Sequence, residues 1–291
     1  MENNVIIATA LNDHVRIYLF NSTKVVEDAR KIHNLWPTSC AALGRALSVT
    51  SLMGLMQKGE EDVVTTVING GGAIGTIMCV AKSNGEVKCF CGDNELYLKY
   101  NDSNKLAVGL VVGNNGYLKV IKNLKMKQQY TSQVKLQTGE IGDDFSYYFS
   151  VSEQIPTIVS TGVLVNTDYS VKSAGSMIIE LLPNHTEEDI VFLEKIKFEP
   201  ISSVILNNEN LKEYIKKLFF DAKILEEKNI KYVCDCSKER FMANILTLPK
   251  KDIEDFSNEN EIKIKCEFCN KEYIIDKNNI NTILEYAKNK K

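Results

Sequence analysis

Apolar positions change their period several times along the first 182 residues, and those changes predict the elements. Val15, Ile17 and Leu19 alternate with polar or opposed neighbours, as in a strand. Ser22 or Thr23 can then cap a helix that carries Val25, Val26, Ala29 and Ile32 on one side. After Pro37, Thr38 or Ser39 can cap a second helix, whose Leu43, Leu47, Leu52, Leu55 and Met56 leave few polar faces. A helix apolar nearly all round is expected inside the protein. From Asp62 to about Leu136 the period becomes two: VVTTVI, AIGTIMCVA, EVKCFC and ELYLKY read as strands broken by Gly-Gly-Gly, Ser-Asn-Gly and Asp-Asn. LVVGNNGYLKVI reads as a hairpin turning at Asn115-Gly116. Ile141, Phe145, Tyr148 and Phe149 predict a helix over residues 139–154, stopped by Pro156. TIVSTGVLV and VKSAGSMIIELL then flank a turn at Asn166-Thr167-Asp168. Residues 1–182 are therefore expected to form one α+β domain on a mainly antiparallel sheet.

The pattern changes at Pro183. Residues 184–230 hold ten acids and seven lysines, and Thr186-Glu187-Glu188-Asp189 heads one helix. Asn210 heads another, with Leu211, Ile215, Leu218 and Phe219 on its apolar side. Short amphipathic helices cannot bury such a side alone, so the segment 183–230 is expected to be a marginally held helical linker docked on something larger.

Residues 231–291 read as strand, helix capped by Ser237, acidic turn after Pro249, hairpin, and a last helix carrying Ile280, Ile283, Leu284 and Ala287. Apolar groups are sparse there, and a unit this small usually needs a staple. Two cysteine pairs supply one: Cys234 and Cys236 as C-x-C, and Cys266 and Cys269 as C-x-x-C, with twenty-nine residues between. Two close pairs joined by a loop suit a tetrahedral thiolate site for zinc. The spacing departs from the usual ribbon in its short first pair and its long spacer. The competing account is four unrelated buried cysteines.

Composition narrows the class. A chain of 291 residues has room for two domains, and its apolar (44%) and charged (25%) fractions are those of a globular protein. A net charge of −3 disfavours a general nucleic-acid or anionic-membrane binder. The first twenty residues lack a signal peptide's basic start, and the most apolar run, 41–56, contains Arg45. A cytoplasmic protein with no membrane partner is expected, where paired cysteines hold metal or sense oxidant.

Other motifs carry less. Gly70, Gly72 and Gly75 satisfy G-x-G-x-x-G, but the following Thr76-Ile77-Met78-Cys79-Val80 reads as a strand where a dinucleotide site needs a helix. No Gly-Lys-Ser/Thr exists for nucleotide-driven work. Cys89 and Cys91 would share a strand face and, like Cys40 and Cys79, read as packing residues. His14, His33 and His185 have no nucleophile at a telling spacing, and Asp143-Asp144 reads as solvated or capping. Four cysteine ligands leave no open position for metal catalysis, so no enzyme is expected. The runner-up reading is a zinc-ribbon nucleic-acid-binding or transcription-associated protein. Twelve basic against eleven acidic residues over 231–291 leave it without a basic stripe.

The C-x-C followed by Ser-Lys-Glu-Arg, Leu246-Thr247-Leu248, and the distant C-x-x-C together resemble the redox-regulated 33 kDa chaperonin family. WPTSCAALGRAL (36–47), TGEIGDDFSYYFSVSEQIPT (138–157), GVLV (162–165) and AGSMIIELLPN (174–184) extend the resemblance over nearly the whole chain. Ser176 stands where that pattern would carry a second glycine. The resemblance implies an ATP-independent holdase that captures unfolding client proteins and is inactive while Cys234, Cys236, Cys266 and Cys269 hold one zinc ion. It implies activation by oxidation, with Cys234 joined to Cys236 and Cys266 to Cys269, zinc released and a homodimer formed. Structural zinc contributes roughly 10–16 kcal/mol to small modules, comparable with a domain's net stability of about 5–15 kcal/mol. Disulfides closing loops of a few residues restore little of that. The linker would then lose its support and expose Leu211, Ile215, Leu218 and Phe219 to clients.

Overall fold

The computed structural model describes residues 4–126, 128–207 and 210–289, with side chains as far as Tyr286. Contacts divide the chain into two units, Met1–Val233 and Cys234–Lys291.

The first unit opens with a hairpin of β1 (Asn4–Ala10) and β2 (Val15–Asn21). The alternation at Val15–Leu19 pointed to β2. β1 is nearly continuously apolar because both its faces are buried: Val5 and Ile7 enter one core, while Ile6, Ala8 and Ala10 enter another. Next come α1 (Thr23–His33) and α2 (Pro37–Leu55). Every residue of α2 except Arg45 is buried, as its all-round apolar pattern requires.

The expected caps behave differently. Pro37 starts α2, with Trp36 at the capping position. The Thr38 hydroxyl donates to the Leu98 carbonyl and that of Ser39 to the Asp93 carbonyl, at 2.9 and 2.8 Å. The amides of Trp36 and Thr38 donate to the Asn94 and Leu96 carbonyls. The 93–98 backbone thus spends its hydrogen bonds on the start of α2. This is why ELYLKY, expected as a strand, makes only one isolated bridge, Lys99 with Leu106.

The strands β3 (Val63–Asn69), β4 (Ile77–Lys82) and β5 (Glu86–Cys91) follow, then the short helix α3 (Val108–Val112). β6 (Tyr117–Asn123) and β7 (Tyr130–Lys135) complete the series. The expected hairpin at Asn115-Gly116 is absent, because its first arm is α3. The glycine turn after β3 packs against α3: the Gly72 amide donates to the Val112 carbonyl, and a Cβ on Gly70 would lie 2.1 Å from the Gly113 oxygen. Gly70, Gly72 and Gly75 are a turn between strands, as their sequence context indicated, and α3 needs that closeness of backbones.

α4 (Gly142–Tyr148) runs into a π-helical turn at Phe149–Glu153, which Gln154 ends in the left-handed region just before Pro156. β8 (Thr157–Val165) and β9 (Val171–Leu181) form the expected hairpin. Ser176, on β9, is fully buried with no partner for its hydroxyl. α5 (Glu187–Lys195), α6 (Ile201–Leu206) and α7 (Leu211–Leu218) occupy the segment read as a linker. Thr186 caps α5 through a reciprocal bond with Asp189, and Asn210 caps α7. This segment also supplies a strand, β10 (Lys223–Asn229), before the two-residue β11 (Lys231–Tyr232).

Two sheets result, ordered β10-β1-β2-β9-β8 and β11-β5-β4-β3-β6-β7, antiparallel except where β11 joins β5. α1 and α2 pack within the larger core, which draws on both sheets. On the other face of the first sheet, Ile17, Leu19, Met177 and Ile179 meet Leu193, Ile201, Ile205, Tyr214, Ile215 and Phe219 of the linker segment.

The second unit contains α8 (Lys238–Ile245), α9 (Lys250–Asp255), the hairpin β12 (Glu261–Lys265) and β13 (Glu272–Asp276), and α10 (Lys277–Asn289). Five isoleucines, Ile245, Ile253, Ile275, Ile280 and Ile283, form its small core. The side chain of Ala287, expected on the apolar face of the last helix, lies outside the described residues. No described helix is long and apolar enough to cross a membrane.

Candidate metal centre

The four cysteines of the second unit converge. Cys234 Sγ lies 3.7 Å from Cys266 Sγ, Cys236 Sγ lies 3.4 Å from Cys269 Sγ, and all four sulfurs fall within 4.8 Å of one another. A tetrahedral ion with metal–sulfur bonds of about 2.3 Å would have sulfur–sulfur edges of about 3.8 Å, so this donor set fits zinc or another thiophilic ion without rearrangement. Among the described residues no other group of three or more His, Cys, Asp or Glu side chains gathers in this way.

Local backbone makes the convergence. On the hairpin side, the amides of Cys269 and Asn270 both donate to the Cys266 carbonyl, and Cys266 N–H donates to the Lys271 carbonyl. Asn270 takes a left-handed φ of 59°, which turns the chain back into β13. On the other side, Ser237 caps α8 immediately after Cys236, accepting from the Arg240 amide at 3.3 Å. Arg240 folds back to pair with the Asp235 carboxylate at 2.7 Å and its carbonyl at 2.9 Å, bracing the residue between Cys234 and Cys236.

Tyr273, which the spacing of the cysteines did not single out, completes the surroundings. Its hydroxyl donates to the Cys236 carbonyl at 2.9 Å and lies 3.2 Å from Cys236 Sγ. Burial opposes ionisation of Cys236, but the bonds from Tyr273 and the neighbouring thiols outweigh it and bring its pKa down to about 7. Cys234 and Cys269 are raised, first by burial and then by sulfur neighbours that share their protons. With Cys234 and Cys269 raised, Cys236 is the thiol from which a cation would first displace a proton. The only available signal for Tyr273 was its place four residues beyond Cys269 on an alternating strand.

The remaining candidates take structural positions. Ile215 and Phe219 are buried, and Leu211 and Leu218 half-buried, against the outer face of the first sheet. Asp144 is a buried cap: its carboxylate accepts the amides of Gln137, Thr138, Gly139 and Ile141. His14 bonds Asp189, His33 bonds Tyr232, and His185 bonds the Leu182 carbonyl. Cys40, Cys79, Cys89 and Cys91 are all buried in the first unit.

The chain matches the family model described as Hsp33 protein over residues 3–276. It is 42% identical to the 33 kDa chaperonin of Thermoanaerobacter sp. (strain X514) over 293 aligned residues, covering 99% of each chain. It is 38% identical to the 33 kDa chaperonin of Geobacillus kaustophilus, again over 99% of each. The crystal structure of the 33 kDa chaperonin (heat shock protein 33 homolog) of Thermotoga maritima superposes with a TM-score of 0.88 at 29% identity, covering 99% of this chain and all of that one. A four-cysteine cluster able to hold a metal ion, on a fold matched from end to end, leads to one assignment: the chain belongs to the Hsp33 family of chaperones.

Proposed function

We propose that this chaperone is a redox-regulated, ATP-independent holdase of the cytoplasm, inactive while Cys234, Cys236, Cys266 and Cys269 hold one zinc ion. The convergence of four sulfurs from a C-x-C and a C-x-x-C is the observation that carries this reading. Zinc, when bound, neutralises the thiolates and staples a unit whose own core is five isoleucines.

Oxidation joins Cys234 to Cys236 and Cys266 to Cys269, which removes the metal's ligands and replaces one long-range clamp with two short loops. The second unit then loses order. The segment 183–230 follows, and Leu211, Ile215, Leu218 and Phe219 leave the sheet to meet exposed apolar surface on unfolding clients. Their concealment against the first sheet supports conditional rather than constant client binding. The oxidised form is a homodimer.

The test is aggregation suppression of a thermally unfolding client, measured alongside zinc release, with and without peroxide at raised temperature. Protection that rises together with zinc release supports the switch. Equal protection by reduced, metal-loaded protein would leave a plain binding chaperone.

A further inference from the structure

Four cysteines lie outside the metal centre, and two of them face each other. We propose that Cys79 and Cys89 form a second redox-active dithiol, which hydroperoxides convert to a cross-strand disulfide once the Tyr232 side chain leaves the sheet edge.

The register pairs Cys79 on β4 with Cys89 on β5. The Cys89 amide donates to Tyr232 Oη at 3.3 Å, and the Tyr232 hydroxyl donates to the Cys89 carbonyl at 3.0 Å. Both backbone groups of Cys89 therefore point towards β11 and away from β4. The Cys79–Cys89 pair is thus of the kind without mutual backbone hydrogen bonds, where α-carbons stand about 4.5 Å apart and side chains lie closest. That separation is within the range a disulfide spans. Cys79 and Tyr232 are the two side chains that bear directly on the Cys89 thiol. Cys91, two residues on, is engaged elsewhere: its thiol donates to the Asp93 carbonyl and to Asn94 Oδ1.

The closed fold guards the pair. Both residues are fully buried, and burial raises the Cys89 thiol well above its ordinary range, so little nucleophilic thiolate is present. Tyr232 closes the sheet edge beside Cys89, bonded to the Cys89 backbone and to His33 at 3.0 Å, but the strand that carries it is short. β11 is two residues long, joined to the sheet edge by the pairs Lys231–Glu86 and Tyr232–Val87. It also stands two residues before Cys234, so loss of order in the metal module pulls directly on it; this part of the proposal rests on the function proposed above.

The chemistry balances with a hydroperoxide as oxidant. One sulfur attacks a peroxide oxygen, the O–O bond breaks, and a sulfenic acid forms while the other oxygen leaves with a proton, as water from hydrogen peroxide or as the alcohol from an alkyl hydroperoxide. The second thiol attacks that sulfur, the S–S bond forms, and the sulfenic oxygen leaves as water with the last proton. The disulfide would tie β4 to β5 at the edge that loses β11, holding the chaperone core while its tail is open.

Full-length wild type, Tyr232→Ala and Cys79→Ala are exposed to hydrogen peroxide, quenched, unfolded, alkylated and digested with trypsin. Lys82 and Lys88 put Cys79 and Cys89 on separate peptides, and fragmentation distinguishes Cys89 from Cys91. The expected product is a linked 79–89 pair, two hydrogens lighter, forming about tenfold faster in Tyr232→Ala, which opens the sheet edge to peroxide, and absent from Cys79→Ala. Separate alkylation of both thiols in Tyr232→Ala overturns the proposal, as does linkage of Cys89 to Cys40 or Cys91. Equal rates in wild type and Tyr232→Ala overturn the gating. The four module cysteines are scored in the same digest, so a failure of the metal switch is seen separately from a failure of this pair.

Discussion

Asp221 closes the turn that contains Asn12, more than two hundred residues before it. Its carboxylate accepts the Asn12 amide at 2.8 Å and the Leu11 amide at 3.1 Å. Leu11, Asn12 and Asp13 all have left-handed φ, which turns successive N–H groups inward and makes a small anion-binding concavity. Lys223 adds an ion pair to Asp13 at 2.7 Å, and Asp189 a hydrogen bond to His14 at 2.8 Å. Polar contacts thus secure both ends of the 183–230 segment, with its apolar packing between them.

Asp221→Ala removes the acceptor for both amides. It should cost about 1 kcal/mol locally, since the site is partly open to solvent. Limited proteolysis of reduced protein should then cut faster within 184–230 while the 1–182 fragment persists. An unchanged cleavage rate would mean that apolar packing alone holds the segment.

Cys269→Ser leaves three sulfurs and should weaken metal binding enough to loosen the second unit under reductant. Proteolysis within 184–291 is expected to rise without any oxidant. Circular dichroism and amide exchange identical to wild type would show that the five-isoleucine core suffices alone.

Tyr273→Phe keeps the ring packed beside Phe241 but loses the hydroxyl at Cys236. The Cys236 thiol should titrate higher, and metal affinity should fall about 10- to 100-fold, as for other groups that orient ligands. Chelator competition reads the change directly; matching affinities would remove Tyr273 from the site.

The two pairs should not oxidise together. Cys266 and Cys269 already sit on a tight turn, whereas a C-x-C disulfide is the more strained and harder to form. Trapped, partly oxidised protein is expected to show Cys266–Cys269 linked and Cys234 free on thiol mapping. The reverse order would sink the strain argument.

Glu180 gives the first unit a pH dependence. It sits 7% exposed at a cavity of about 180 Å3 lined also by Arg16, Tyr18, Gln57, Lys122 and Glu153. Burial raises its pKa to about 7; Glu153 adds to this, while Arg16 and Lys122 oppose it. With the folded value above the ordinary 4.5, the native state holds the proton more tightly, so stability declines as pH rises from about 4.5 to 7 and is flat beyond. Glu180→Gln should abolish that decline and stabilise the protein at pH 8, by at most about 3 kcal/mol. Parallel wild-type and variant melting curves across pH 5–8 would refute it.

The cysteine site was readable because its geometry is local: two short pairs, each fixed by its own turn. The buried helix α2 was equally plain from Leu43 to Met56, and the hairpin of β8 and β9 from its turn residues. Misread segments were those whose backbone bonds go to distant partners. ELYLKY has a strand's alternation, yet Thr38 and Ser39 claim its carbonyls. Val111 and Val112 favour strands by propensity, yet the Gly70–Gly72 turn receives them as a helix. Likewise β10, with its run of Glu226, Glu227 and Lys228, lies in the segment expected to be a helical linker, and its register with β1 makes it a strand.

That register has a further consequence. β10 is the outermost strand of its sheet, and its charged side chains keep other chains from adding there. It belongs to the segment that the proposed activation would release. Once β10 peels off, β1 becomes the border: a row of vacated amides and carbonyls beneath Val5, Ile6 and Ile7, open to lateral growth by any extended polypeptide. The protein would then unveil a template for main-chain pairing in the same motion that bares its apolar side chains.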